Sequence, residues 1–290
     1  MTYFGFLALF LGIPIAILSL ITIYDFRRGK WLPEPLNRYK AWVVIAGICV
    51  VAFVWTTPWD NYLVATRVWW YDINLVTGIV IGYVPIEEYT FFIVQPIFTG
   101  LFLLLLIRYL PTNPRKADNA QIRRIAMIIS FALWVIFTVL LILTFIDDSF
   151  KQFTYLSLEM SWALIPITIQ LAFGADILWR HRVPVTVAIV ITTLYLAWAD
   201  SLAIGSGTWT IDPEQSLYSI LIGGILPIEE FIFFLITNVL CVFGISLVLA
   251  EESHERAMAL EKYPIARPFL RMLRHAGHPP DNPAMIAQKQ

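Results

Sequence analysis

Polar and charged residues in this chain cluster between long apolar stretches. Seven such stretches lie at roughly 3–24, 40–57, 74–108, 122–145, 160–179, 184–202 and 216–249. A bilayer-crossing helix needs about 20 apolar residues, so the pattern predicts seven spans. The third and seventh stretches are too long for one simple span, because about 35 helical residues reach over ~50 Å. Each carries a proline near its front, Pro85 and Pro227, preceded by Gly78 and Gly82 or by Gly223 and Gly224. The expected form is a short apolar lead-in, then a full span starting at the proline, which suits the first turn of a helix.

Charge placement supports the count. Loops after spans 1, 3 and 5, together with the C-terminal tail, hold all but two of the 20 lysines and arginines, the exceptions being Arg67 and Lys151. The positive-inside rule puts that face in the cytoplasm. The first stretch has no basic leader and no small-residue cleavage site, and Arg27-Arg28 follow it. It therefore reads as a first span with its N-terminus outside, not as a secretory signal. The basic tail at 251–290 reads either as a solvated segment or as an interfacial helix on anionic lipid.

Composition narrows the classes further. The 290 residues are 59% hydrophobic and 14% charged, against about 45–50% and about 25% in soluble domains. That excludes an ordinary soluble enzyme and a disordered chain. A net charge of −1 offers no basic field for nucleic acid. Cys49 and Cys241 imply no disulfide framework. His181, His254, His275 and His278 fall outside the apolar stretches, which argues against a buried histidine metal site.

A repeat runs through the chain. Asp60, Trp69 and Asp72 recur at identical spacing as Asp200, Trp209 and Asp212. Pro85-Ile86-Glu87-Glu88-Tyr89-Thr90-Phe91-Phe92 then recurs as Pro227-Ile228-Glu229-Glu230-Phe231-Ile232-Phe233-Phe234, with two more residues of separation in the second half. The expected fold is all-α and polytopic, two parallel three-helix repeats joined by one linking helix. The units are 1–110, a linker at 111–150, 151–250, and the tail at 251–290. With one linking span, both repeats enter the membrane in the same direction, about an axis along its normal. The glutamate pairs then meet in one cavity near the non-cytoplasmic side.

These pairs are the sharpest chemical signal. An ionised carboxylate in a membrane interior costs several kcal/mol and needs a partner or a task. No lysine lies in the interior of any span, Lys40 standing at the very edge of the second. Four carboxyls in apolar sequence are buried most cheaply if some keep their protons, and a protonated acid beside an ionisable one is a donor–acceptor arrangement. Neighbouring residues sit about 100° apart on a helix, so one Glu of each pair should face the cavity and the other should bond nearby groups. Helix capping explains one acid at a surface better than two acids, twice, in apolar sequence. Asp60 and Asp200, at the expected span edges, join Glu87, Glu88, Glu229 and Glu230 as candidate acid–base residues. Trp69, Trp209, Tyr89, Phe92, Phe231 and Phe234 are candidate substrate contacts, able to pack or to hold a cation on their ring faces. No GxGxxG or phosphate-binding loop occurs, and Asp147-Asp148 lacks prenyltransferase spacing.

The doubled Pro-Ile-Glu-Glu with its Phe-Phe pair, and Thr57-Pro58-Trp59-Asp60 upstream of the first copy, resembles the integral-membrane lycopene cyclases of bacteria, archaea and fungi. The resemblance covers roughly residues 1–250. In that family two small homologous subunits act as a heterodimer or are fused in one chain. It implies cyclisation of the ends of lycopene or a related linear, lipid-soluble carotenoid. An acid protonates the terminal alkene, the neighbouring double bond closes a six-membered ring, and a base removes a proton. It implies no cofactor, metal or net redox change, and no partner beyond substrate and membrane lipid; a homo-oligomer is compatible with it. A β-ring is the expected product, with an ε- or γ-ring on a C50 carotenoid, or another polyprenoid, as alternatives. A proton-coupled transporter and a carotenoid-binding protein are the alternative classes.

Overall fold

The computed structural model describes residues 1–113 and 118–259. Among the described residues, seven helices are long and apolar enough to cross a membrane, and the chain is an all-α polytopic membrane protein. They are α1 (Tyr3–Arg27), α2 (Ala41–Ala65), α3 (Ile86–Tyr109), α4 (Ala120–Ile146), α5 (Thr154–Arg180), α6 (Arg182–Gly205) and α7 (Ile228–Leu249). A short α8 (Glu251–Ala259) follows. Helices suit this environment because each satisfies its own backbone polar groups.

Local sequence sets the helix limits. Asn119 caps α4, its Oδ1 accepting from the Gln121 and Ile122 amides. α3 stops at Tyr109, two residues ahead of Pro111. In α1, Pro14 has no N–H for the Phe10 carbonyl and would collide with it in a regular helix. A π-turn at Ala8–Gly12 opens the ladder there, and Tyr195 Oη donates to the freed Phe10 carbonyl at 3.0 Å.

The over-long stretches resolve differently from the expected apolar lead-ins. Before α3 comes a hairpin of β2 (Val80–Ile81) and β3 (Val84–Pro85), after a separate strand β1 (Trp69–Tyr71). Before α7 comes β4 (Trp209–Ile211), then a hairpin of β5 (Leu221–Ile222) and β6 (Leu226–Pro227). Pro85 and Pro227 sit at the N-cap, not in the first turn. Val80 pairs with Pro85 but Leu221 with Pro227, so the second hairpin holds one of the two extra residues. The other lies between Ile211 and Leu221. At the first turn Gly82 has φ 68° and its Cα faces the Asn61 carboxamide, leaving no room for a Cβ.

β1 and β4 pair with each other, antiparallel, in the register Trp69↔Ile211, Trp70↔Thr210, Tyr71↔Trp209. The flanking bonds are reciprocal: Asp72 N donates to Thr208 O and Asp212 N to Val68 O. Beneath this ribbon α3 and α7 form the centre, each packed on the other and on α2 and α6, or on α6 and α5. They are the most buried spans, at 56% and 61% of their apolar windows, while α4 is 6% buried and rests on α5. Its exposed Ile125, Ile128, Ile129 and Phe131 suit contact with lipid.

At the end of the bundle away from the ribbon, the buried Arg108 Nε donates to Asp25 at 3.0 Å, and Tyr109 Oη donates to the same carboxylate at 2.8 Å. In α8, Arg256 pairs with Asp176 and Glu252 with Arg180. Residues 251–259 are therefore tied to the bundle; the rest of the basic tail lies outside the described residues. Arg108→Leu leaves Asp25 buried without its cation and is expected to cost about 3–5 kcal/mol, measured by thermal unfolding of the detergent-solubilised protein.

Candidate active site

Each glutamate pair occupies the first turn of its helix, just inside the N-cap proline. The two members point apart. Glu87 Oε1 accepts from the Thr77 amide at 2.6 Å, and Glu229 Oε1 from the Leu217 amide at 2.5 Å. These carboxyls fasten the chain that leads into each hairpin. Glu88 and Glu230 instead face a cavity of ≈ 50 Å³.

That cavity is built mostly from matching positions of the two halves: Tyr3 and Tyr155, Trp69 and Trp209, Glu88 and Glu230, Phe91 and Phe233. The hairpins and ribbon place them. Tyr3 N donates to Leu75 O and Tyr155 N to Gln215 O, which brings the starts of α1 and α5 beneath the loops that follow β1 and β4. Tyr3 Oη then donates to Glu88 Oε2 at 2.5 Å, and Tyr155 Oη to Glu230 Oε1 at 2.7 Å. Tyr71 Oη from β1 adds a second bond to Glu88 Oε2 at 3.0 Å. Burial first, then the adjacent Glu88 carboxylate, push the Tyr71 phenol well above its usual range, which keeps it a proton-bearing donor.

Asp60 and Asp200 lie within α2 and α6, each 1% exposed, not at span edges. The reason for Asp60 is that α2 continues past Pro58 to Ala65, with Thr57 Oγ1 bonding the Phe53 carbonyl. Asp200 lines the cavity with Glu230 and accepts from Trp209 Nε1 at 3.0 Å. Asp60 is buried but does not line the cavity, and neither of its oxygens has a hydrogen-bond partner among the described residues. Asp72 and Asp212 make local turns, accepting from the Asn74 and Glu214 amides.

The aromatic candidates divide. Trp69, Trp209 and Phe234 line the cavity. Phe92 lines a second, apolar space of ≈ 180 Å³ between α2, α3, α5 and α7, walled by Val51, Trp55, Trp162, Pro166 and Leu240 among others. Phe91 and Phe233 face both spaces. Tyr89 and Phe231 line neither. The Tyr89 phenol is committed to the first hairpin, donating to Ile81 O and accepting from Asn61 Nδ2, both at 2.9 Å. Phe231 packs at the edge of the core.

Sequence reasoning missed Tyr3, Tyr71, Tyr155 and Glu159. Glu159 is fully buried, one helical turn after Tyr155, with no partner for either oxygen among the described residues. An α5 that starts at Thr154 puts this acid inside a span, whereas a span starting near 160 puts it outside.

The arrangement is an integral-membrane site with carboxyls, phenols and aromatic faces lining one cavity beside an apolar groove. Such a site is equipped for proton transfer to and from a hydrocarbon. Lycopene beta-cyclase of Halobacterium salinarum is 33% identical over 246 residues, covering 85% of this chain and 95% of that protein. Bifunctional lycopene cyclase/phytoene synthases of Aspergillus oryzae and Podospora anserina are 35% and 31% identical over 205 and 248 residues, or 70% and 81% of this chain. The chain spans 34% and 38% of those fungal proteins. No family model and no solved structure matches. The chain belongs to the lycopene cyclase family.

Asn61 holds the first hairpin over the site, accepting from Tyr83 N at 2.9 Å and donating to Tyr89 Oη. Asn61→Ala should cost about 1–3 kcal/mol and render the 80–85 hairpin cleavable by added protease, read by mass spectrometry of the fragments.

Proposed function

We propose that this protein cyclises the ends of lycopene or a closely related linear carotenoid to β-ionone rings by acid–base chemistry, with no net redox change. The observation that carries this is the convergence of Glu88 and Glu230, one from each half, on a single aromatic-walled cavity. One carboxyl gives its proton to the terminal alkene of the substrate. The resulting tertiary cation is attacked by the neighbouring double bond, closing the ring. The other carboxylate takes up the proton that the ring cation sheds. Asp60 and Asp200 adjust the proton distribution, and Glu87 and Glu229 hold the hairpins.

Trp69, Trp209, Phe91, Phe233 and Phe234 turn hydrocarbon surface toward the reacting end and exclude water that would capture the cation. Their ring faces attract positive charge. The polyene occupies the apolar groove lined by Phe92, Trp55 and Trp162, whose two shared phenylalanines admit the chain end to the carboxyls. A long hydrocarbon is dissolved in the bilayer already, so a site within the bundle receives it from the lipid.

Residues 1–110 and 151–250 form two parallel repeats in this reading, with 111–150 as the linking span. The reciprocal β1–β4 bonds support an axis relating them, and the seven-helix count supports its running along the membrane normal. The lysine and arginine distribution places the site near the non-cytoplasmic side, the N-terminus outside and the C-terminus in the cytoplasm.

The test is expression of the full chain in a bacterium accumulating lycopene, with carotenoids separated by chromatography and characterised by spectrum and mass. A product of unchanged mass with a blue-shifted spectrum is expected. Glu230→Gln should lower ring formation by about 10²–10⁴-fold with the protein still in the membrane; wild-type yield from that variant would sink the assignment.

A further inference from the structure

Glu88 and Glu230 hold matching positions but keep different company. Glu88 accepts two phenolic O–H groups on one oxygen, from Tyr3 and Tyr71. Glu230 accepts one, from Tyr155. The ribbon residue matching Tyr71 is Ile211, which offers no donor. Around Glu230 stand further carboxyls instead: Asp200, lining the same cavity, and the buried Glu159, one helical turn beyond the Tyr155 that bonds Glu230. The residue matching Glu159, four beyond Tyr3, is Leu7. Asp60 does not line the cavity, whereas Asp200 does.

This difference has a chemical direction. O–H donors aimed at one carboxylate oxygen stabilise its negative charge. Carboxyls packed against one another with no cation between them are held together by the protons they share.

We propose that Glu230 is the acid that protonates the alkene and Glu88 is the base that deprotonates the ring cation, an assignment that rests on the cyclase reading above. The O–H bond of Glu230 breaks as a C–H bond forms at the terminal alkene. The C–C bond closes from the adjacent double bond. A ring C–H bond then breaks, its electron pair forms the new ring alkene, and its proton goes to Glu88. The enzyme resets when Glu88 loses this proton and Glu230 regains one. Tyr3 and Tyr71 position and hold the base; Asp200 and Glu159 are positioning residues for the acid.

The test uses membranes carrying the full chain, lycopene as probe, and buffer in D₂O, with deuterium in the recovered carotenoids read by mass spectrometry. Wild-type protein should yield deuterated cyclic product. Glu230→Gln should return linear lycopene without label. Glu88→Gln should return linear lycopene that carries label, because the cation forms and collapses back by returning a proton to Glu230. Tyr71→Phe, a milder change, should raise the ratio of labelled linear lycopene to cyclic product; a merely structural defect lowers both together. Label in Glu230→Gln but not in Glu88→Gln overturns the assignment, as does absence of label from both variants when both are present in the membrane. Linear, unlabelled lycopene from the wild-type protein overturns the cyclase reading itself.

Discussion

The fold is organised around the cost of burying the carboxyl groups of Glu87, Glu88, Glu229 and Glu230 with no ion pair to a basic side chain among the described residues. An uncompensated charge in such surroundings costs several kcal/mol, and the glutamates of both pairs find donors within the protein. Amides of the loops ahead of the hairpins answer Glu87 and Glu229; phenols from α1, β1 and α5 answer Glu88 and Glu230. The short strands, scarce in an otherwise helical chain, make sense in this light. They bend the backbone back over the first turns of α3 and α7 so that these donors arrive from outside the helices that carry the acids.

Much of this was visible in the sequence, for definite reasons. Charges inside apolar runs are costly, so Glu87, Glu88, Glu229 and Glu230 stood out without any structure. The repeat carried Asp200 and Trp209 along with them, and these two meet. The tyrosines did not stand out, because a tyrosine near a membrane surface is ordinary and only its partner makes it notable. Tyr3 and Glu88 are far apart in the chain, and nothing local joins them. The hairpins were hidden by their own apolarity: Val80, Ile81 and Tyr83 are exposed and read as span, whereas the glycines at positive φ mark a turn. Tyr89 and Phe231 followed the acids at helical spacing, yet that spacing does not tell which face meets the cavity and which meets a hairpin or the core edge.

Symmetry and its breach serve different ends. Paired tryptophans and phenylalanines give the cavity walls of one kind on both sides, suitable for an apolar guest. The features without a counterpart at the cavity, Tyr71 on one side and Glu159 on the other, together with Asp200, whose match Asp60 does not line it, give the same space two unlike poles. A duplicated scaffold thus supplies shape, and a few departures from duplication supply polarity.

The placement of α4 carries a thermodynamic consequence. It lines neither cavity, leans on α5 and meets the remaining helices little, while the halves join through α3, α6, α7 and the ribbon. In the two-repeat reading proposed above, its role between them is that of a tether. Joining two partners covalently replaces a bimolecular encounter by an intramolecular one at an effective concentration of order mM, and adds no contact at the site. On that reading the reciprocal β1–β4 register carries the recognition between halves, and connectivity sets only how often they meet.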